Sequence, residues 1–225
     1  MASEDYKAPT LTVDCVIFQL ISGKLHVLVI KRASEPFAGR WALPGGYCWA
    51  GETTHDALAR IIKSKSGITT SDLDHIEQLY TFDTVARDPR GHAVSVTYMG
   101  LGRGIILAEE ATGHTPRFTL IDELPELAFD HAEIVAYAHK RLVSRINDTN
   151  GIFALLPEEF TLSQLQQAYE VIIGKQLDKR NFRKKYLSLN LIHATDRMFQ
   201  EGAHRPARMY RFNQQKLQAL VRSFD

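Results

Sequence analysis

The chain has 225 residues, 27 Lys+Arg against 26 Asp+Glu, a formal net charge of +1 and 44% hydrophobic residues, which excludes a disordered or collagen-like polypeptide. At roughly 100 to 200 residues per domain, the length fits two domains. The near-zero charge argues against a polyanionic partner only until it is divided: residues 1–149 carry 15 basic and 19 acidic side chains, net −4, and residues 150–225 carry 12 and 7, net +5.

The opening MASEDYKAPT places acids where a secretory leader needs basic and then apolar residues, and no apolar run approaches the roughly 20 residues of a membrane span. A cytoplasmic protein with no membrane partner is expected. Cys15 in an apolar run and Cys48 in a glycine-rich loop lack CxxC spacing, so two reduced thiols are expected rather than a disulfide or a zinc site.

Thr12 to Leu20 and Leu25 to Ile30 predict a β-hairpin across Ile21-Ser22-Gly23-Lys24, with Val13, Cys15 and Ile17 on one face. Residues 33–51 are loop-forming, with two prolines and four glycines. Thr53 or Thr54 then caps a helix to about Ser66, stopped by Gly67 and burying Ala57, Leu58 and Ile61. Strands are predicted at Ile76 to Phe82 and Ala93 to Leu101, and Ile105 to Ala108 is ambiguous. Asp130 to Ile146 predicts a helix with Ile134, Val135, Ala138, Leu142 and Ile146 on one side.

The polar run Asn147 to Gly151, where the charge sign also changes, marks a domain boundary between 1–147 and 148–225. Thr161 caps a helix ending at Gly174, and after a short turn Asp178 caps a second helix to about Leu187. Strands at Leu191 to Phe199 and Arg208 to Phe212 follow, and then an amphipathic turn from Gln214 to Val221.

From Gly46 the chain reads Gly, five residues, Glu52, seven residues, Arg60, then Ile61, Ile62, Lys63, Ser64, Lys65, Ser66, Gly67, Ile68. Positions 61, 64 and 65 share one helical face and could converge on a cation. A hard divalent ion there needs carboxylates, but the residues are Ile61, Ser64 and Lys65. An ammonium about 4 Å from a divalent ion at that face would repel it by several kcal/mol at an effective dielectric near 20. Lys65 and Arg60 could instead give an anionic ligand fixed charge; for Arg60 the preferred reading is an ion pair with Glu52 that holds the loop against the helix. The run from Leu79 to Gly91 adds aromatics with Arg87 and Arg90, suited to stacking a base and meeting phosphate or to standing as solvated loop charges.

Asp178 to Leu187 holds five basic residues in ten. Phe182, Tyr186 and Leu189 share one face, leaving Lys179, Arg180, Arg183 and Lys184 on the other. A basic helix after a short turn fits the reading helix of a helix-turn-helix. His204, Arg205 and Arg208 lie on the following hairpin, stiffened by Pro206.

The spacing from Gly46 to Ile68 resembles the Nudix box, G-x5-E-x7-R-E-U-x-E-E-x-G-U, with the frame kept and its three carboxylates after the arginine replaced. With PFAGRWALPGGY, YTFDTVARDPRG, FTLSQLQQAYE, KRNFRKKYL and HRPARMYRF, the chain resembles the Nudix-related transcriptional regulators of bacterial NAD metabolism over nearly its whole length. The resemblance implies an α+β protein: a Nudix α/β/α sandwich with a mixed sheet, followed by a winged helix-turn-helix domain. It implies a homodimeric repressor on double-stranded operator DNA, released by ADP-ribose or a related nucleotide. Effector contacts are expected from Arg32, Gly45, Gly46, Glu52, Arg60, Lys65, Phe82 and Arg87. DNA contacts are expected from Lys179, Arg180, Asn181, Arg183, Lys184, His204, Arg205 and Arg208. No catalytic residue, metal or required cofactor is expected. The rivals are an active ADP-ribose pyrophosphatase and a nucleotide-binding module whose basic domain meets protein or RNA.

Overall fold

A computed structural model describes residues 7–109, 113–200 and 206–220. Strands β1 (Thr10–Ile21) and β2 (Lys24–Lys31) form the expected hairpin. Its turn places Ser22 and Gly23 at φ 50° and 72°, which matches the twist of the paired strands. Short strands β3 (Trp41–Ala42) and β4 (Gly45–Tyr47) pair with β2 and β1, and β5 (His75–Phe82) and β6 (Ala93–Leu101) complete one side. Because β1 and β6 run parallel while the other pairs are antiparallel, the seven-stranded sheet is mixed. Its remaining strand, β7 (Thr115–Leu120), lies along β2 and was not foreseen: with Pro116 in a six-residue run it carries weak strand character, and pairing with β2 supplies the rest. The ambiguous stretch 105–108 forms no regular element.

Strand β1 is buried on both faces. Val13, Cys15 and Ile17 pack under helix α1 (Thr54–Ser66) with Ala57, Leu58, Ile61 and Ile62. Val16 and Phe18 pack under α2 (His131–Asp148) with Ile134, Val135, Ala138 and Leu142. Each Val, Leu, Ile or Phe side chain among them contributes about 1.5 to 3 kcal/mol on full burial. Thr53 caps α1 in a capping box with Asp56, and Gly67 ends it in the left-handed conformation.

The second unit is a winged helix. After β8 (Phe160–Thr161), Thr161 caps α3 (Leu162–Ile173), Gly174 turns the chain at φ 65°, and Asp178 caps α4 (Lys179–Ser188). Strands β9 (Ile192–Phe199) and β10 (Ala207–Phe212) form a three-stranded sheet with β8, in the order β8-β10-β9.

The two cores are continuous: Phe18, Val29 and Leu142 share one cluster with Leu165, Tyr169 and Ile172. The polar run at 147–151 is therefore no solvated linker. Thr149, Asn150 and Gly151 are buried, because the Asn150 carboxamide accepts from Gln218 N–H and donates to the Lys216 carbonyl, while Asn150 N–H donates to Gln218 O. Gln214 to Leu220, expected as an amphipathic turn, is instead a strap across 148–150: Ala219 bridges Thr149 and Leu220 N–H donates to Asp148 O.

Candidate functional site

A cavity of about 290 Å³ opens between β1, β4, α1, the 83–92 loop and the start of α2. Pairing of Asp14 with Gly45 sets its floor. A Cβ on Gly45 would lie 1.8 Å from Asp14 Oδ1, so only glycine fits, whereas one on Gly46 would sit 3.4 Å from the Ile61 side chain. Helix α1 turns Ile61, Ser64 and Lys65 to the cavity, the convergence expected from their spacing, with Arg60 beside them. Ser64 Oγ donates to the Ile61 carbonyl, and Lys65 Nζ donates across the cavity wall to the Gly45 carbonyl. Among the described residues no three His, Cys, Asp or Glu gather to hold a metal.

The acids bordering the cavity are held by arginines. Arg60 grips Glu52 through two bonds of 2.6 and 2.7 Å, donates to the Tyr47 carbonyl and lies 3.5 Å from the Trp49 ring centroid. The bond from Arg60 holds the Glu52 carboxyl down to about 2. Of the two roles open to Arg60, the pairing with Glu52 is present, and the guanidinium also lines the cavity. Asp88 is bound by Arg90, which also donates to the Tyr47 hydroxyl. Arg87 is no solvated loop charge: its side chain is 5% exposed, forked onto Asp130 at 2.8 Å twice and bonded to Asp14 at 3.3 Å. Burial opposes its charge, but these carboxylates outweigh that and raise its pKa.

Arg32 and Lys65 have no salt bridge among the described residues; Arg32 donates to the Pro36 and Ser34 carbonyls. Burial, and then repulsion from Arg32, pushes the Lys65 ammonium down to about 8. Burial, and then Arg90, lowers Arg32. Cations that weaken one another in a half-enclosed space are relieved by a ligand with several negative charges. Burial lowers the pKa of His131, and its Nδ1 accepts from Leu43 N–H at 2.8 Å.

Seven of the eight expected effector residues thus stand at this cavity or, as Glu52, brace its wall. Phe82 does not: its ring packs against Tyr80 and Tyr137 on the α2 side of the sheet, because strand alternation turns it away. Asp14, Tyr47, Trp49, Phe129 and His131 line the cavity without having been singled out. Tyr47 and Trp49 lie inside the box and were within reach of its spacing; Asp14, Phe129 and His131 arrive only by folding.

On the winged helix, Lys179, Arg180, Asn181 and Lys184 are exposed along α4, and Arg208 is exposed on β10. Arg183 is half-buried and donates to Ser163 Oγ at 3.0 Å. His204 and Arg205 lie outside the described residues. Phe182 and Tyr186 stack on each other and meet Tyr169 of α3 edge-on, so the aromatic face docks inward and the cationic face, Arg183 apart, is left to solvent.

Residues 9–138 match the NUDIX domain model and residues 152–212 the NrtR DNA-binding winged helix domain. The chain is 35% identical to the ADPR responsive transcriptional repressor NtrR of Acinetobacter baylyi, over 92% of this chain and 84% of that protein. A structure of Shewanella oneidensis NrtR complexed with a 27mer DNA superposes with a TM-score of 0.74 and 30% identity, covering 90% of this chain and 93% of that one. The NUDIX domain of the same protein in cocrystal with ADP ribose matches at TM-score 0.56 and 30% identity, over 63% of this chain and 94% of that one.

Proposed function

The chain belongs to the family of Nudix-domain proteins that carry an NrtR DNA-binding winged helix, and from that premise we propose a transcriptional repressor that leaves its operator when ADP-ribose, or a close NAD-derived nucleotide, enters the Nudix cavity. Residues 1–147 form the effector unit and 148–225 the DNA-reading unit. The observation that carries the function is the Lys65 ammonium on the Gly45 carbonyl, at a helical position where a hydrolase of this frame needs a carboxylate. A fixed cation stands where metal chemistry would begin, so the ligand is bound and kept rather than cut, with no cofactor required.

Arg32, Gly45, Gly46, Arg60, Lys65 and Arg87 form the effector surface, with Glu52 holding Arg60. Lys179, Arg180, Asn181, Lys184 and Arg208 meet DNA together with His204 and Arg205, while Arg183 braces α4 on α3. A cytoplasmic homodimer sets two α4 helices in major grooves one helical turn apart or a multiple of it, on a near-palindromic operator among genes of NAD metabolism.

The test is a gel shift on the DNA upstream of its own coding region, with and without ADP-ribose. Specific binding that ADP-ribose weakens by about five- to 150-fold is the expected result. Binding indifferent to ADP-ribose, or Mg2+-dependent turnover of ADP-ribose at about 1 s⁻¹ or faster, would favour the hydrolase instead.

A further inference from the structure

At the start of α2, Phe129 and His131 line the cavity and Asp130 stands between them. Phe129, held at φ 57°, lies under the guanidinium groups of Arg32 and Arg90 at 4.9 and 5.8 Å. Asp130 takes the fork of Arg87, and His131 accepts from Leu43 N–H. Asp130 is also the N-cap residue of α2, where an aspartate ordinarily accepts from the first free N–H groups. Its side chain makes no capping bond: Arg87 holds the carboxylate, the backbone at φ −88° and ψ 15° is not in the extended conformation of a capping residue, and Glu133 N–H donates to the Asp130 carbonyl instead.

The other end of α2 lies against the DNA-reading unit. The Tyr169 hydroxyl donates to the Ile146 carbonyl at 2.8 Å, and the Tyr169 ring meets Phe182 and Tyr186 of α4 at 5.3 and 5.7 Å. Midway, His139 Nε2 meets the Ile172 carbonyl at 2.8 Å. With 18 residues, α2 is a rod of about 27 Å fixed to the cavity at one end and to the support of the reading helix at the other.

We propose that α2 carries the effector's signal to α4, with the Arg87–Asp130 pair as its latch and Tyr169 as its contact on the reading helix. An anionic ligand on the cavity floor competes with Asp130 for Arg87. The released carboxylate caps α2 as the Asp130 backbone moves from ψ 15° to the extended conformation of a capping residue; the start of the helix shifts with it, and the rigid rod passes that shift through Ile146 and Tyr169 to Phe182 and Tyr186. Asp130 and Tyr169 are positioning residues, not ligand contacts. The proposal rests on the function above and supplies its route.

The test compares the operator Kd with saturating ADP-ribose to the operator Kd without it, in the wild type, Asp130→Asn, Asp130→Glu and Tyr169→Phe, with ADP-ribose affinity measured separately by calorimetry. Asp130→Asn leaves a capping side chain but a neutral partner for Arg87, and Tyr169→Phe deletes one hydroxyl. In both, the ratio should fall at least about threefold while ADP-ribose still binds, and Asp130→Glu, which keeps a carboxylate for Arg87, should restore it. Should Asp130→Asn not fold, Tyr169→Phe decides alone. Variants that bind both ligands and keep the wild-type ratio overturn the relay. A wild-type ratio of one removes the functional reading itself, and the relay with it.

Discussion

The Nζ of Lys65 donates to the main-chain carbonyl oxygen of Gly45, twenty residues earlier in the chain. Helix α1 thereby presents a positive charge to the cavity from a helical position where a hydrolase of this frame holds a carboxylate.

From this contact, effector binding should be indifferent to chelation. Calorimetry of ADP-ribose binding in EDTA and in Mg2+ should give the same Kd in the wild type. Lys65→Glu should weaken metal-free binding tenfold or more, about 1.4 kcal/mol, and recover part of it with Mg2+. A wild-type Kd that collapses in EDTA would refute the fixed-charge role.

The same ammonium predicts a pH dependence. Burial and Arg32 hold Lys65 down to about 8 in the free protein, and a bound anion favours its charged form and raises it again. Binding therefore takes up a proton above about pH 8, and affinity falls as pH rises, by up to about tenfold per unit. Lys65→Met, which has no titrating group, should bind more weakly with a flatter profile across that window.

Gly45 and Gly46 should respond differently to alanine. At Gly45 the new Cβ meets the Asp14 carboxylate at 1.8 Å, and at Gly46 it meets the Ile61 side chain at 3.4 Å. Gly45→Ala should cost at least about 2 kcal/mol through overpacking, read as a drop of roughly 4 °C or more in calorimetric melting temperature. Gly46→Ala should melt within about 2 °C of the wild type.

Exposed Lys184 and half-buried Arg183 separate contact from support on α4. Lys184→Ala should weaken operator binding across sequences and reduce the salt slope by about one, leaving ADP-ribose affinity unchanged. Arg183→Ala, which loses the bond to Ser163, should instead lower the melting temperature and leave the salt slope as it is. A slope unaltered in Lys184→Ala would take this face off the DNA.

The sequence by itself determined the four α-helices and where α1 and α3 stop, the first hairpin, the order of the two units and the opposed charges hidden in a total of +1, while α2 runs two residues past its expected end, to Asp148. These depend on neighbours a few residues apart: Thr53 with Asp56, Gly67 at the end of α1, Thr161 with Gln164, Asp178 with Asn181. The missing carboxylates were legible for the same reason, since positions 61, 64 and 65 share a face on any helix. Strand β7, the strap from Gln214 to Leu220 and the burial of Thr149 and Asn150 were not, because each is made by pairing with a distant segment. Arg87 shows the difference most plainly. In the sequence it is one charge in a polar loop; in the fold its partners Asp14 and Asp130 come from 73 residues before it and 43 after. Local spacing carries caps and faces, but only tertiary structure decides which charge is buried against which, because a carboxylate and a guanidinium bond strongly only when the chain brings them together out of water.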